Sequence, residues 1–263
     1  MELWTLWAIV AAWLLTLFTL AWLICTRLRD VTPLDSLWGP ALASVGVLAH
    51  LLGAGAGAHS GLATFLVVLW GARLAWHMNA RWRREGHEDP RYAAMRAERA
   101  DTFAGWSLYA IFWLQAGLAV LISAPLVAAG ALPAPTTIDP LIWGLALMAL
   151  CGLALETVAD LQLTCFRSDP ANRGRLLQTG LWGWSRHPNY LGEAIFWWAL
   201  GGIVAASTGA VWTLLAPALL TLLLLKVSGV AMADRRMAEH KPEFAAYAAR
   251  VPAFLPWPRP KRR

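Results

Sequence analysis

The chain has 263 residues, of which 58% are hydrophobic and only 14% are charged, and its mean hydropathy is +0.50. A soluble domain carries about 25% charged residues, so this chain has too little polar surface to cover a globule of its size in water. Apolar runs long enough to cross roughly 30 Å of hydrocarbon recur along the whole sequence. These features exclude one or two soluble domains. They predict an all-α, polytopic membrane protein in which residues 1–263 form a single transmembrane domain.

The three cysteines, Cys25, Cys151 and Cys165, lie within or at the ends of apolar segments. No CxxC pair or Cys/His cluster occurs in the sequence, so neither a disulfide framework nor a metal site is indicated. We interpret the three residues as small buried hydrophobic side chains.

Taken in chain order, the predicted membrane helices number seven. The first apolar run has no basic residue before it and carries Arg27 and Arg29 after it, which indicates a retained span and not a cleaved leader. The second run is short and flanked by Pro33 and Pro40, so a kinked or tilted helix is expected. The predicted spans are 3–25, 37–53, 61–80, 104–130, 139–165, 189–208 and 210–233.

The charge of the connecting segments gives a predicted orientation. The segments 54–61 and 132–139, which would lie on one side of the membrane, contain no Lys or Arg, and the chain's 22 Lys and Arg lie elsewhere. Basic residues are retained on the cytoplasmic side, so we expect the N-terminus outside and the C-terminus in the cytoplasm, in a bacterial inner membrane. The net charge of +6 then serves contact with anionic membrane lipids. Nucleic acid is a poor partner, because the basic residues are spread over four segments.

Ionisable side chains inside predicted spans are the first candidates for function. Placing each of them near the bilayer centre costs roughly 2.5–3.5 kcal/mol or more, so each needs either a polar partner or a functional role. An internal ion pair and a functional pocket are both possible explanations for any one of them. The five that stand out are Asp35, Arg73, Glu156, Asp160 and Glu193.

The densest polar segment, residues 160–198, is an arginine-rich loop that runs directly into an apolar span. Guanidinium groups bind phosphates bidentately, and this loop offers several of them. Asn189 and Glu193 lie one turn apart at the start of the sixth span, so they face one direction. A helix N-terminus also favours an anionic group. The alternative is a basic loop that contacts only lipid headgroups.

Three motifs carry a resemblance to a known family: WGARLAWH at 70–77, DPANRG at 169–174 and GLWGWSRHPNYLGE at 180–193. With these motifs the chain resembles the DUF1295 family and, more widely, the membrane steroid 5-alpha-reductase and sterol-reductase superfamily. That superfamily is distantly related to isoprenylcysteine carboxyl methyltransferases, which carry a similar RHPxY element. The resemblance implies a seven-helix fold with a cavity, open to the cytoplasm, for the cofactor NADPH in the half at about 139–263.

The resemblance also implies roles for individual residues. The superfamily's catalytic Glu falls at about Asp35, and its Tyr partner falls at about Trp70, which cannot donate a phenolic proton. We therefore expect Asp35 and His77 to be catalytic, with Tyr92 as an alternative donor. The expected cofactor-binding residues are Asp160, Arg167, Arg173, Arg175, Arg186, His187, Asn189, Tyr190 and Glu193.

These expectations favour an NADPH-dependent reductase of a lipid-soluble enone or alkene, in which an acid near the carbonyl oxygen stabilises the enolate. One alternative is an S-adenosylmethionine-dependent methyltransferase of a lipid or an isoprenylcysteine. Such enzymes often carry an acidic pair after the last span, where this chain has only Asp234. A second alternative is a non-catalytic lipid-binding protein. The sequence specifies neither the substrate nor an oligomeric state.

Overall fold

The computed structural model describes residues 1–256, and over that range every regular element is a helix. Residues 257–263, which include the basic tail, lie outside the described part of the chain. In chain order the α-helices are α1 (Leu3–Leu28), α2 (Pro33–Leu52), α3 (Ala58–Glu85), α4 (Pro90–Glu98), α5 (Phe103–Ser107), α6 (Leu114–Ile122), α7 (Ala124–Ala131), α8 (Pro140–Ser168), α9 (Pro188–Thr208), α10 (Leu215–Lys226), α11 (Val230–His240) and α12 (Phe244–Arg250).

Six helical segments within residues 1–256 are long and apolar enough to cross a membrane, and each overlaps a predicted span. They are Leu3–Leu28, Ala58–Glu85, Phe103–Ile122, Pro140–Ser168, Pro188–Thr208 and Val211–His240. The predicted second span is the 20-residue helix α2, which is not among the six. The all-helical membrane class is therefore confirmed, while the count of seven spans and the orientation stay predictions.

Helix α2 follows the usual rules for a helix that begins with proline. Pro33 occupies its first turn, where the missing N–H costs nothing, and Pro40 is accommodated inside a helix that continues to Leu52. Asp35 lies in the first turn, where a carboxylate is favoured by the helix dipole. The position of Asp35 at the polar end of a buried helix is thus set by local sequence.

The fourth predicted span, 104–130, ends earlier than expected. The structure stops this helix at Ile122 and begins the separate helix α7 at Ala124, because Pro125 cannot continue a helical hydrogen-bond ladder. Between α5 and α6 the chain forms a π-helical turn over Leu108–Trp113. The apolar sequence on both sides gave no sign of that turn.

The prediction that all three cysteines are buried was wrong for two of them. Cys25 is buried in α1, whereas Cys151 and Cys165 are exposed on α8. A helix that faces hydrocarbon can carry small apolar side chains on its outer surface as readily as in its core.

By its internal contacts the chain divides into two compact units. The first comprises Met1–Ile142 and Gly201–Ala216, and the second comprises Trp143–Leu200 and Pro217–Arg263. The second unit lies within residues 139–263, the half predicted to bind a cofactor, and cofactor binding by this half stays a prediction. Asp35 and His77 belong to the first unit, and the nine cofactor candidates belong to the second.

In the first unit, α2 and α3 approach each other closely at two glycines. A Cβ atom on Gly39 would overlap the carbonyl oxygen of Gly71, so only glycine permits this approach. The Thr64 hydroxyl donates to the Gly46 carbonyl oxygen at 2.9 Å, across the same pair of helices. The glycines that follow Trp38 and Trp70 in the sequence therefore serve helix packing.

In the second unit, α8 and α9 pack through a corresponding pair of glycines. A Cβ atom on Gly192 would lie 2.5 Å from the backbone nitrogen of Glu156, and one on Gly152 would lie 2.7 Å from the Gly192 carbonyl oxygen. This contact holds the polar end of α8, which carries Asp160, beside the first turns of α9, which begin with Asn189.

Candidate functional site

The central contact of the second unit joins two predicted cofactor residues. The Asn189 Nδ2 group donates a hydrogen bond to the Asp160 Oδ1 atom at 3.1 Å, which links α9 to α8. Asp160 is only 6% exposed. The Asn189 Oδ1 atom is also buried, and no residue of 1–256 donates to it. Because a buried acceptor without a donor is costly, this atom marks a place where a polar ligand is favoured.

The signature loop, residues 178–187, is fixed to the same end of α8. Gly180 adopts a φ of +60°, which favours glycine, and the next amide, on Leu181, donates to the Gln162 Oε1 atom at 3.0 Å. The Trp182 indole donates to the Ala159 carbonyl oxygen at 3.0 Å. The loop is thus hydrogen-bonded to α8 at Ala159 and Gln162, which lie before and after Asp160 in the chain.

Arg186 is held by protein groups on several sides. Its Nη2 and Nε atoms donate to the two Asp234 carboxylate oxygens, and its Nη1 atom donates to the Val251 carbonyl oxygen at 2.7 Å. Its backbone amide donates to the Pro252 carbonyl oxygen at 2.9 Å. The Arg186 side chain is only 9% exposed, and its guanidinium donates to both Asp234 and Val251. These hydrogen bonds hold the loop in place.

His187 shares the same carboxylate. Its Nε2 atom lies 2.8 Å from the Asp234 Oδ1 atom, and its ring stacks on Tyr190 at a centroid separation of 5.5 Å. Arg186, His187 and Asp234 therefore form one cluster. The sequence motif identified the first two residues but gave no sign that Asp234 is their partner.

The C-terminal segment closes over the signature loop. The Tyr247 hydroxyl on α12 donates to the Trp182 carbonyl oxygen at 2.6 Å, and Arg250 donates to the Gln178 Oε1 atom at 2.7 Å. Burial raises the pKa of Tyr247 to about 12, so its hydroxyl remains a donor at neutral pH. The loop is consequently sandwiched between α8 and α12.

Three further predicted arginines lie in or beside the connection between α8 and the signature loop. Arg167 lies in the last turn of α8, which ends at Ser168, and Arg173 and Arg175 follow it; all three residues are exposed. The Asp169 carboxylate caps the intervening turn by accepting from the Ala171 amide at 2.9 Å. Gly174 adopts a φ of +84°, which bends the chain between the last two arginines. Their guanidiniums are therefore presented by a defined turn.

The two remaining cofactor candidates lie on α9. Tyr190 and Glu193 are both half-buried, one and four residues after Asn189. Asp160 and Asn189 are thus hydrogen-bonded to each other, and Tyr190 and Glu193 lie in the first two turns of the helix that carries Asn189.

In the first unit, Asp35 accepts two hydrogen bonds from helix α4. The Tyr92 hydroxyl donates to its Oδ1 atom at 2.8 Å, and the Arg91 Nη2 atom donates to its Oδ2 atom at 2.9 Å. The sequence left Tyr92 open as an alternative donor, and the structure joins it to Asp35. His77 is half-buried on α3 of the same unit.

Asp89 ties α4 to the start of α2. Its carboxylate caps α4 by accepting from the Arg91 amide at 2.9 Å, and its own amide donates to the Thr32 hydroxyl at 2.8 Å. Burial alone would raise the pKa of Asp89, but hydrogen bonds from Arg91 and the charges of Arg91 and Arg81 hold it below its ordinary value. The carboxylate is therefore ionised and keeps Arg91 in place at neutral pH.

Tyr92 is a phenol that keeps its proton. Burial, followed by the charge of the Asp35 carboxylate, raises its pKa well above the ordinary value. Its location was partly predictable, since Asp89 followed by proline is a standard helix start. The contact with Asp35, 57 residues away in the chain, was not predictable from local pattern.

Comparison with known proteins identifies one family. The family model described as "Protein of unknown function (DUF1295)" matches residues 21–251, a range that contains every candidate residue of both units. No curated protein and no solved structure matches the chain.

Proposed function

The chain belongs to the DUF1295 family, and from that premise we propose that it is a membrane-embedded, NADPH-dependent reductase of a lipid-soluble enone or alkene. The proposal includes a relationship to the steroid 5-alpha-reductase superfamily and an active site open to the cytoplasm. The observation that carries it is the hydrogen bond between Asn189 and Asp160. The buried Oδ1 atom of Asn189 has no donor among residues 1–256.

The arginines that follow Asp160 in the chain fit a phosphorylated dinucleotide. Such a cofactor brings a pyrophosphate and a 2′-phosphate, and Arg167, Arg173 and Arg175 offer guanidiniums in and beside a single turn. Each charge-assisted hydrogen bond contributes roughly 1.5–3 kcal/mol. An amide or hydroxyl of the same ligand would satisfy the Asn189 Oδ1 atom. S-adenosylmethionine carries no phosphate and would gain little from these arginines.

Arg186 and His187 take a different role in this proposal from the one the motif implied. Both side chains are engaged with Asp234, so we assign them to holding the signature loop and not to binding phosphate. Asp234 is also the carboxylate that a methyltransferase would be expected to use after its last span. Its engagement with Arg186 and His187 favours the reductase.

The reaction requires a hydride, which NADPH would supply, and a group that stabilises the enolate oxygen. We assign the second task to Tyr92, with Asp35 as the residue that holds its hydroxyl. The raised pKa keeps the phenol protonated at neutral pH, and its hydroxyl would turn from Asp35 to donate a hydrogen bond to a developing negative oxygen. His77 remains the second candidate donor.

Enone reduction by the purified protein in detergent tests this proposal. Progesterone and cholestenone serve as lipid-soluble enone probes, and the loss of NADPH absorbance reports turnover. We expect Tyr92→Phe to lower the rate by about a hundredfold or more, which is the usual contribution of a positioned acid. Tyr109→Phe is the matched control, because Tyr109 is 59% exposed, and we expect its rate to equal that of the wild type.

Two results would contradict the proposal. Equal rates for Tyr92→Phe and wild type would remove Tyr92 from the reaction. Methyl transfer from S-adenosylmethionine in place of NADPH oxidation would assign the protein to the methyltransferases.

A further inference from the structure

A groove lies between α1 and the π-helical turn in the first unit. Both of its walls belong to segments that are long and apolar enough to cross a membrane, Leu3–Leu28 and Phe103–Ile122. Its volume is about 370 Å³, within the range of roughly 300–1,000 Å³ for pockets that hold small ligands. The residues that line it are Leu15, Thr16, Thr19, Leu20 and Trp113. A groove between two such segments opens toward membrane lipid.

The polar hydrogens in the wall of this groove are all bonded within the protein. The Thr16 hydroxyl donates to the Ala12 carbonyl oxygen at 2.8 Å, and the Thr19 hydroxyl donates to the Leu15 carbonyl oxygen at 2.7 Å. The Trp113 indole N–H donates to the Thr19 hydroxyl oxygen at 3.1 Å, which holds the ring against α1. Because these hydrogens are used, the groove favours a hydrocarbon chain over a polar ligand.

Arg27 lies at the end of the face of α1 that lines the groove. The helix is continuous over Leu3–Leu28, and eleven residues separate Thr16 from Arg27. Three turns of 3.6 residues bring a position back to within about 20° of the same face. At 1.5 Å per residue, Arg27 lies about 10 Å beyond Leu20 along the helix axis. The exposed side chain of Leu23 continues the apolar face between them.

The Arg27 guanidinium is available to a ligand. The residue is exposed, and no group of residues 1–256 forms a hydrogen bond or an ion pair with its side chain. Asp30, the nearest acidic residue in the chain, accepts instead from the Trp82 indole and the Thr32 amide, both at 2.8 Å. A guanidinium at the end of a membrane-crossing segment is suited to bind a phosphate group.

We propose that a phospholipid with an anionic headgroup binds along α1, with its phosphate on Arg27 and an acyl chain in the groove beside Trp113. The cation lies at the end of the segment and the apolar groove lies about 10 Å deeper, which is the order of phosphate and chain in a lipid. The positive charge favours an anionic lipid over a zwitterionic one by about fivefold. This site does not depend on the proposed reductase function.

Photolabelling with lipids that carry a diazirine in the acyl chain tests the site. The full chain is labelled in mixed micelles with phosphatidylglycerol or phosphatidylcholine of the same chain composition, and mass spectrometry maps the labelled residues. We expect phosphatidylglycerol to label the groove residues about fivefold more than phosphatidylcholine does. Equal labelling of every exposed apolar residue of α1, with no preference between the two lipids, would overturn the proposal.

A charge variant tests the headgroup contact. Arg27→Ala should lower labelling of the groove by phosphatidylglycerol about fivefold, to the level of phosphatidylcholine. Arg84→Ala is the matched control, because Arg84 is an exposed arginine in the last turn of α3. It lies about 200° around that helix from Trp82, whose indole contacts Asp30 just after α1, and it should label as the wild type does. Unchanged labelling in Arg27→Ala would contradict the headgroup contact.

A second variant tests the chain and leaves Arg27 in place. Thr16→Phe fills the groove and should abolish labelling of Trp113, whereas Ile9→Phe, at an exposed position two turns earlier on α1, should preserve it. Equal labelling of Trp113 in the two variants would show that the acyl chain does not occupy the groove. Displacement of phosphatidylglycerol from Trp113 by progesterone would overturn the proposal by assigning the groove to a lipid-soluble enone.

Discussion

Asn189 uses only half of its carboxamide within the described chain. Its NH₂ group donates to Asp160, and its buried oxygen accepts nothing from residues 1–256. Leaving a buried acceptor unsatisfied costs roughly 1–3 kcal/mol, so a ligand that donates to it gains that amount on binding. The residue therefore gives the most specific test of where the cofactor binds.

We expect Asn189→Leu to weaken NADPH binding by about tenfold, because roughly 1.4 kcal/mol corresponds to a factor of ten in affinity. Isothermal calorimetry in detergent gives the dissociation constant. Asn79→Leu, the same substitution in a half-buried position of the first unit, is the control and should bind NADPH as the wild type does. Equal affinity for all three proteins would place the cofactor away from α9.

At the scale of single residues, the motif predicted which side chains are chemically important but not what they contact. Asp160 and Asn189 were predicted together, and the structure joins them. Arg186 and His187 were predicted as ligands of a cofactor, but their partner Asp234 lies 48 and 47 residues away in the chain. Spacing within a helix or loop cannot reveal contacts of that range, because they depend on how helices pack.

At the scale of helices, glycines decide which segments approach each other. Gly192 lies against the backbone of Glu156, whereas Gly144, on α8, has no heavy atom within 4 Å of where its Cβ would lie. Alanine is accommodated at Gly144 and collides with α8 at Gly192. Overpacking of this kind costs typically 1–3 kcal/mol.

We expect Gly192→Ala to lower the Tm of the detergent-solubilised protein by several degrees, with Gly144→Ala at or slightly above the wild-type value. Thermal unfolding followed by tryptophan fluorescence measures both. If Gly192→Ala were as stable as Gly144→Ala, the close packing of α8 on α9 would be wrong.

Helix positions were largely predictable, because hydropathy over a long apolar run reports directly on membrane crossing. The exceptions have identifiable causes. Pro125 ends the fourth predicted span early, and the π-helical turn at Leu108–Trp113 lies within the same span. Neither the hydrogen bonds from α4 to Asp35 nor the π-helical turn produces a periodic signal in the sequence.

At the scale of the whole molecule, the proposed function distributes its residues between the two units. The first unit holds the Asp35 and Tyr92 pair, and the second holds the arginine turn and Asn189. The family match extends over residues 21–251 and so covers both. NADPH binding by the intact protein is consequently the property on which the account most depends.

That property is measured by thermal stabilisation of the purified protein in detergent with NADPH, NADH or S-adenosylmethionine. We predict the largest increase in Tm with NADPH, and about tenfold weaker NADPH binding in Arg175→Ala, since one phosphate contact contributes roughly 1.5–3 kcal/mol. Arg235→Ala, at another exposed arginine of the same unit, should match the wild type. Stabilisation by S-adenosylmethionine alone, or by none of the three ligands, would contradict the account in favour of a methyltransferase or a lipid-binding protein respectively.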